Sequence, residues 1–140
     1  MKAGSNLEKV LSEGLFAVTG EISPPKGNDI GAIKRKADLM KGCVDAVNVT
    51  DNQTASVRMS SLSTSSLLVQ MGLEPVMHMT TRDRNRIAMQ SDLMGAAALG
   101  VRNVLCLTGV HQSLGNQVDS KNVYDLDSVQ LVDCVRMMRD

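Results

Sequence analysis

Glu21, Thr50, His78 and Thr108 are the side chains whose type and position could carry chemistry, because each closes a short, mostly apolar run. A carboxyl among apolar neighbours is desolvated, which disfavours its charged form and raises its pKa. Such a group delivers a proton near neutral pH, a contribution of roughly 10² to 10⁴ in rate. Glu21 reads equally as a structural carboxylate paired with a Lys or Arg from a neighbouring loop. His78 is either a hydrogen-bonded core histidine or a polar contact to a bound cofactor. His111 is the only other histidine, so a metal-binding pair is not indicated. Thr50 and Thr108 also suit plain strand positions with satisfied hydroxyls. The loop Thr108-Gly109-Val110-His111-Gln112-Ser113-Leu114-Gly115 carries glycines whose spacing matches neither a P-loop nor a GxGxxG dinucleotide fingerprint.

The elements that must position these groups repeat. Gly42, Gly72 and Gly100 lie 30 and 28 residues apart, each between an amphipathic stretch and an apolar run. Glycine just past a helix is the common left-handed cap, and the spacing is that of one βα unit. Strands are predicted over 16–22, 46–50, 76–80 and 104–108. Helices are predicted over 29–41, 56–70, 83–99 and 127–139, the second being serine-rich and a poor helix former. In the first helix Ile30, Ile33, Ala37 and Met40 share a face. Ile87, Met94 and Ala98 do so in the third, and Leu131, Cys134, Val135 and Met138 in the fourth.

The order β-α-β-α-β-α-β-α with right-handed crossovers gives a four-stranded parallel sheet. Alternation chooses between an open doubly wound sheet and an arc of a barrel. Val47 and Val49, Met77 and Met79, and Leu105 and Leu107 are assigned to the helix-covered face. Glu21, Thr50, His78 and Thr108 are assigned to the other. A sheet covered on both sides is apolar on both, so the polar face favours a barrel mouth. The expectation is an α/β fold of TIM-barrel type, a (βα)4 half-barrel over residues 16–140 after a lead segment of residues 1–15.

Composition narrows the class further. With 15 basic and 15 acidic side chains the net charge is zero, which argues against a basic nucleic-acid binder. No apolar run reaches membrane-spanning length, and no signal-peptide pattern opens the chain. Cys43, Cys106 and Cys134 show no CxxC or Cys/His spacing, so reduced thiols in the cytoplasm are expected and a zinc site is not. With one Phe, one Tyr and no Trp, the core must be aliphatic, filled in part by ten Met.

Four segments then resemble one family. Val18-Thr19-Gly20-Glu21-Ile22-Ser23-Pro24-Pro25-Lys26-Gly27 is similar to the first strand of methylenetetrahydrofolate reductases, where Glu precedes a Pro-Pro pair. Ala46-Val47-Asn48-Val49-Thr50-Asp51-Asn52 looks like the second strand end, Pro75-Val76-Met77-His78-Met79-Thr80 the third, and Asn103-Val104-Leu105-Cys106-Leu107-Thr108-Gly109 the fourth. The resemblance implies a flavoprotein in which FAD reduces 5,10-methylenetetrahydrofolate to 5-methyltetrahydrofolate in methionine-forming one-carbon metabolism, with NAD(P)H or a redox partner protein as electron source. It implies Glu21 as the general acid toward folate N10, and Thr50, Asp51, His78, Thr108, Gly109 and Tyr124 as FAD contacts. The family usually has Asp after the fourth-strand glycine, near flavin and pterin; here the substrate-side position is Val110. That substitution keeps open a non-catalytic flavin- or folate-binding module or a subunit of an electron-transfer complex. A TIM barrel takes roughly 250 residues, so the expectation is the first half of a longer protein, or a homo-oligomer in which two copies close eight strands.

Overall fold

The computed structural model describes residues 2–140. Each main helix starts where a short polar side chain takes up the first free amides, the usual N-cap chemistry. Asp29 caps α2 (Ile30–Met40), Ser60 caps α3 (Ser61–Gln70) and Asn85 caps α4 (Arg86–Ala98). Asp127 caps α5 (Ser128–Arg139) in a capping box with Gln130. Between them run β1 (Thr19–Ile22), β2 (Ala46–Val49), β3 (Pro75–Thr80) and β4 (Asn103–Leu107), all parallel, in the order β1-β2-β3-β4. Gly42, Gly72 and Gly100 adopt positive φ, as the caps before β2, β3 and β4 require.

The helices cover one face of the sheet. Ile22, Val47 and Val49 pack with Ile33, Ala37 and Leu68; Met77 and Met79 pack with Met89, Leu93, Ala96 and Leu131. The opposite face carries the polar side chains, among them Glu21, Asn48, Thr50 and His78. That one-sided arrangement is the α/β half-barrel of TIM type, with the site at the C-terminal ends of the strands.

Several expectations need correction. β1 begins at Thr19 and not at residue 16; Phe16 is 91% exposed. Before it, one backbone bond reaches from Asp45 N–H to the Val18 carbonyl at 2.7 Å, and Val18 N–H donates to the Asp45 carboxylate at 2.8 Å. In α4 the buried residues are Met89, Leu93 and Ala96, while Ile87 and Met94 face solvent. Enough apolar residues lie around this helix to offer two stripes, and contact with β3 and β4 selects one. α3 starts at Ser61, five residues later than predicted. Its small polar residues Ser61, Thr64 and Ser65 are buried, which brings the helix close to β3, and Ser61 Oγ donates to the His78 carbonyl at 2.8 Å.

The largest correction concerns β4. Its pairing sets His78 beside Leu105 and Thr80 beside Leu107, and paired residues of neighbouring strands share a face. Leu105 and Leu107 therefore lie on the cleft side, while Val104 and Cys106 pack into the core. Both alternating sets of β4 are apolar, so alternation carried no information, and a one-residue shift exchanges the faces.

The lead segment is also structured. Helix α1 (Asn6–Ser12) crosses the N-terminal ends of the strands. The Glu74 carboxylate accepts from Asn6 N–H (2.6 Å) and Leu7 N–H (2.9 Å), Asn6 Nδ2 donates to the Asp45 carbonyl (3.1 Å), and Arg102 Nη1 donates to the Gly4 carbonyl. Asp45, Glu74 and Arg102 immediately precede β2, β3 and β4, so α1 closes the end of the sheet opposite the site.

Candidate active site

Parallel strands in register bring their C-terminal ends to one level, and there a cleft of about 400 Å³ opens. Its lining includes Glu21 from β1, Thr50 and Asp51 just past β2, His78 and Thr80 from β3, Arg82 just past β3, and Leu107, Gly109 and Val110 at the end of β4. Its size lies within the usual range for small-molecule sites.

Glu21 reaches the cleft, as expected, but is exposed. The expectation of a carboxyl shielded by apolar neighbours is not met, because β1 has a neighbour on one side only among the described residues. His78 is buried, 8% exposed, and its Nε2 lies 3.2 Å from Asn48 Oδ1. Burial holds its pKa below the ordinary histidine value, partly opposed by the negative charges of Glu21 and Asp51. Thr50 is buried, and its Oγ1 has no hydrogen-bond partner among the described residues. A buried hydroxyl without a partner beside a cleft is costly, and it is where a ligand atom would be satisfied.

Asp51 lines the cleft and is also tied into the sheet. Its carboxylate is fully buried and accepts from Thr80 N–H (2.9 Å), Thr80 Oγ1 (3.0 Å), Arg84 Nη1 (2.8 Å) and Arg84 Nη2 (3.2 Å). These bonds engage both oxygens, so Asp51 ties β2 to β3. Arg84 also meets Asp92 on α4 at 3.2 Å; burial alone would lower the Arg84 pKa, but the Asp51, Asp92 and Asp83 carboxylates together outweigh it and the net direction is upward. Thr108 follows β4 on the face away from the cleft, and its Oγ1 accepts from Ser128 N–H at 3.1 Å, at the start of α5. Tyr124 lies outside the cleft lining, in a left-handed conformation (φ 43°). Gly109 belongs to the lining with φ 86°, and a Cβ there would stand 3.3 Å from Thr80 Cβ. Glycine is thus required both by conformation and by the close approach to β3.

Sequence reasoning missed Arg82 and Asn48. Arg82 is 2% exposed. Its Nε and Nη2 each donate to the Asp83 carboxylate at 2.7 Å, Nη1 to the Val110 carbonyl at 3.0 Å, and Nη2 to the Asn52 carbonyl at 3.4 Å. One guanidinium thereby joins the loops after β2, β3 and β4. The Asp83 bond pushes the Arg82 pKa up; for Asp83, burial works upward but the guanidinium prevails and its pKa is lowered. Nothing in the Arg82-Asp83 dipeptide distinguishes it from a solvated pair. Asn48 was findable: it lies two residues before Thr50, on the same face of β2.

The loop after β2 is strained. Asn52, Thr54 and Ala55 all have positive φ (40°, 56° and 55°), uncommon for residues with a Cβ and typical of functional loops held by their surroundings. Asn52 Oδ1 accepts from Arg58 N–H at 3.0 Å, and Asn116 Oδ1, from the loop after β4, accepts from Val57 N–H at 3.0 Å.

No cluster of three or more metal-ligating side chains occurs among the described residues. No described helix is long and apolar enough to cross a membrane. A search of curated proteins finds no match. The methylenetetrahydrofolate reductase family matches residues 6–140, nearly the whole chain. All four strand ends that line the cleft fall within the match, and the chain belongs to the methylenetetrahydrofolate reductase family, by type an oxidoreductase of folate one-carbon metabolism.

Proposed function

We propose that this protein takes part in reducing 5,10-methylenetetrahydrofolate to 5-methyltetrahydrofolate, with FAD held in the cleft at the strand ends. FAD, when bound, supplies the hydride and is itself re-reduced by NAD(P)H or a redox partner protein. The observation that carries this reading is the convergence of Glu21, Thr50 and His78 on one cleft in a chain of this family. The residues suit a flat polar heteroaromatic ring: the partnerless Thr50 hydroxyl, the buried His78 and the side-chain-free backbone of Gly109. Thr50 and His78 bind and orient the ring, while Gly109 lets it approach the backbone. Glu21, the carboxyl on the cleft, is the group that delivers a proton to folate N10, which opens the substrate ring. Its exposure means that bound substrate, and not the protein alone, excludes water from that carboxyl.

β1 pairs only with β2 and β4 only with β3 among the described residues. Open edges of that kind call for cover. The working unit in this reading is therefore a barrel completed by further βα units or by a second copy.

A second reading, a flavin- or folate-binding module without turnover, is favoured by Val110, which offers no polar group at the family's aspartate position. One assay separates them. In anaerobic stopped-flow measurements, Glu21→Gln should slow reoxidation of bound reduced flavin by the folate by about 10² to 10⁴, leaving reduction by the electron donor nearly unchanged. Undiminished folate reduction in that variant rejects the acid role. FAD and folate binding without turnover in the unsubstituted protein supports the module.

A further inference from the structure

Asn48 stands behind His78 on the cleft face of the sheet, one strand away, and its amide can be oriented from its partners. Asn48 Nδ2 lies 3.2 Å from Thr19 Oγ1 and 3.4 Å from the Gly20 carbonyl oxygen. A carbonyl oxygen only accepts, so the nitrogen end of the amide must face β1. A reversed amide would set its oxygen against the Gly20 carbonyl oxygen, acceptor against acceptor. The oxygen end therefore faces His78, with Oδ1 3.2 Å from Nε2. An amide oxygen also only accepts, so the ring nitrogen on that side must carry the proton.

We infer that Asn48 is a positioning residue that holds His78 as its Nε2–H tautomer, so that the cleft presents a bare Nδ1 acceptor to a ligand that brings an N–H or O–H donor. Neutral imidazole has one donor and one acceptor nitrogen. Burial favours the neutral ring in His78, and Nδ1 makes no hydrogen bond among the described residues. The second nitrogen sets the role of the first, the usual logic of a histidine whose far side is pinned. The ligand class follows: a heterocycle with an N–H edge fits this position, whereas one offering only acceptors there meets a repulsive lone pair. The tautomer does not depend on the cofactor proposed above; the use made of Nδ1 rests on that reading.

The chain has two histidines, which makes the test direct. In ¹⁵N-labelled protein carrying His111→Gln, long-range ¹H–¹⁵N correlation at neutral pH should show His78 with a protonated Nε2 and an unprotonated Nδ1. The Nε2 proton should be visible, because its bond to Asn48 slows exchange. Asn48→Leu should remove that proton signal and introduce the other tautomer, and Asn48→Asp, which keeps the acceptor, should restore it. A protonated Nδ1 in the protein with Asn48 intact overturns the inference even if the variants fail to fold. So does an unchanged Nε2 proton in a folded Asn48→Leu protein. Added FAD should shift the Nδ1 resonance toward that of a hydrogen-bonded acceptor. FAD bound with no shift at Nδ1 overturns the acceptor role. Failure of FAD to bind counts against the proposed cofactor, and the ligand-free spectrum still decides the tautomer.

Discussion

At position 110 an isopropyl group lines the cleft where the resemblance to the family implies a carboxylate, and the Val110 carbonyl is held by Arg82 Nη1. Because Arg82 grips the backbone, the loop geometry survives a change of side chain, and the position is half-exposed, so substitution costs the fold little. A hydrogen bond to a charged partner contributes roughly 1.5–3 kcal/mol. Val110→Asp should therefore tighten binding of a reduced-folate ligand by about tenfold, equivalent to about 1.4 kcal/mol, as read by calorimetric titration. Unchanged affinity and unchanged turnover would mean that the valine is no impairment. Asp51 and Thr108 teach the complementary lesson. Both occupy motif positions; Asp51 lines the cleft while its carboxylate is engaged by Arg84 and Thr80, whereas Thr108 lies off the cleft and is engaged by the start of α5. Motif membership identifies the neighbourhood, and hydrogen-bond accounting identifies the task.

Among the elements, the loops after β2 and β4 behave as one unit. Gly115 lies so close to Ala55 that a Cβ on it would stand 1.8 Å from the Ala55 carbonyl oxygen. Asn116 caps Val57 N–H next to it, and Arg82 holds both loops from beneath. The left-handed residues Asn52, Thr54 and Ala55 are kept in place by this contact. Gly115→Ala must push the loops apart, and overpacking of that kind costs about 1–3 kcal/mol. Gly27→Ala, where nothing lies within 4 Å, should stay within about 0.5 kcal/mol of the parent. Urea unfolding of the two variants is the check; equal stabilities would show that the loops do not bear on each other.

For the whole molecule, acid response follows from two groups with opposite ordinary charges. His78 is neutral when folded, and its pKa lies below that of the unfolded chain. The unfolded state therefore binds the proton first, so the contribution of His78 is present above about pH 6.5 and is lost as pH falls through the folded pKa. Asp125 accepts from Arg86 N–H, Nε and Nη2, each at 2.9 Å, joining the start of α4 to the connection before α5. The Arg86 hydrogen bonds lower its pKa from 3.8 to about 2, so its contribution holds above about pH 4 and fades toward pH 2. Thermal melts across this range should show two separate declines. His78→Gln should abolish the upper one, and Asp125→Asn should reduce the lower one, to which Asp83 also contributes. Persistence of the upper decline in His78→Gln would assign it to other groups.

The order of four βα units was readable because it depends on local properties: capping side chains, glycines spaced by one unit, and apolar runs of strand length. Thr50 and His78 were placed on the cleft face correctly because their strands alternate polar with apolar, and so was Glu21 on β1. What only the tertiary structure decided was everything set by neighbours. β4 and α4 each have apolar residues on more than one face, so the choice fell to pairing with β3 and packing against it. The openness of Glu21, the engagement of Asp51 and the bridging by Arg82 depend on segments about 30 or more residues away in the chain. Periodicity reports how a segment divides its own faces; which face meets which partner is a property of the assembled sheet.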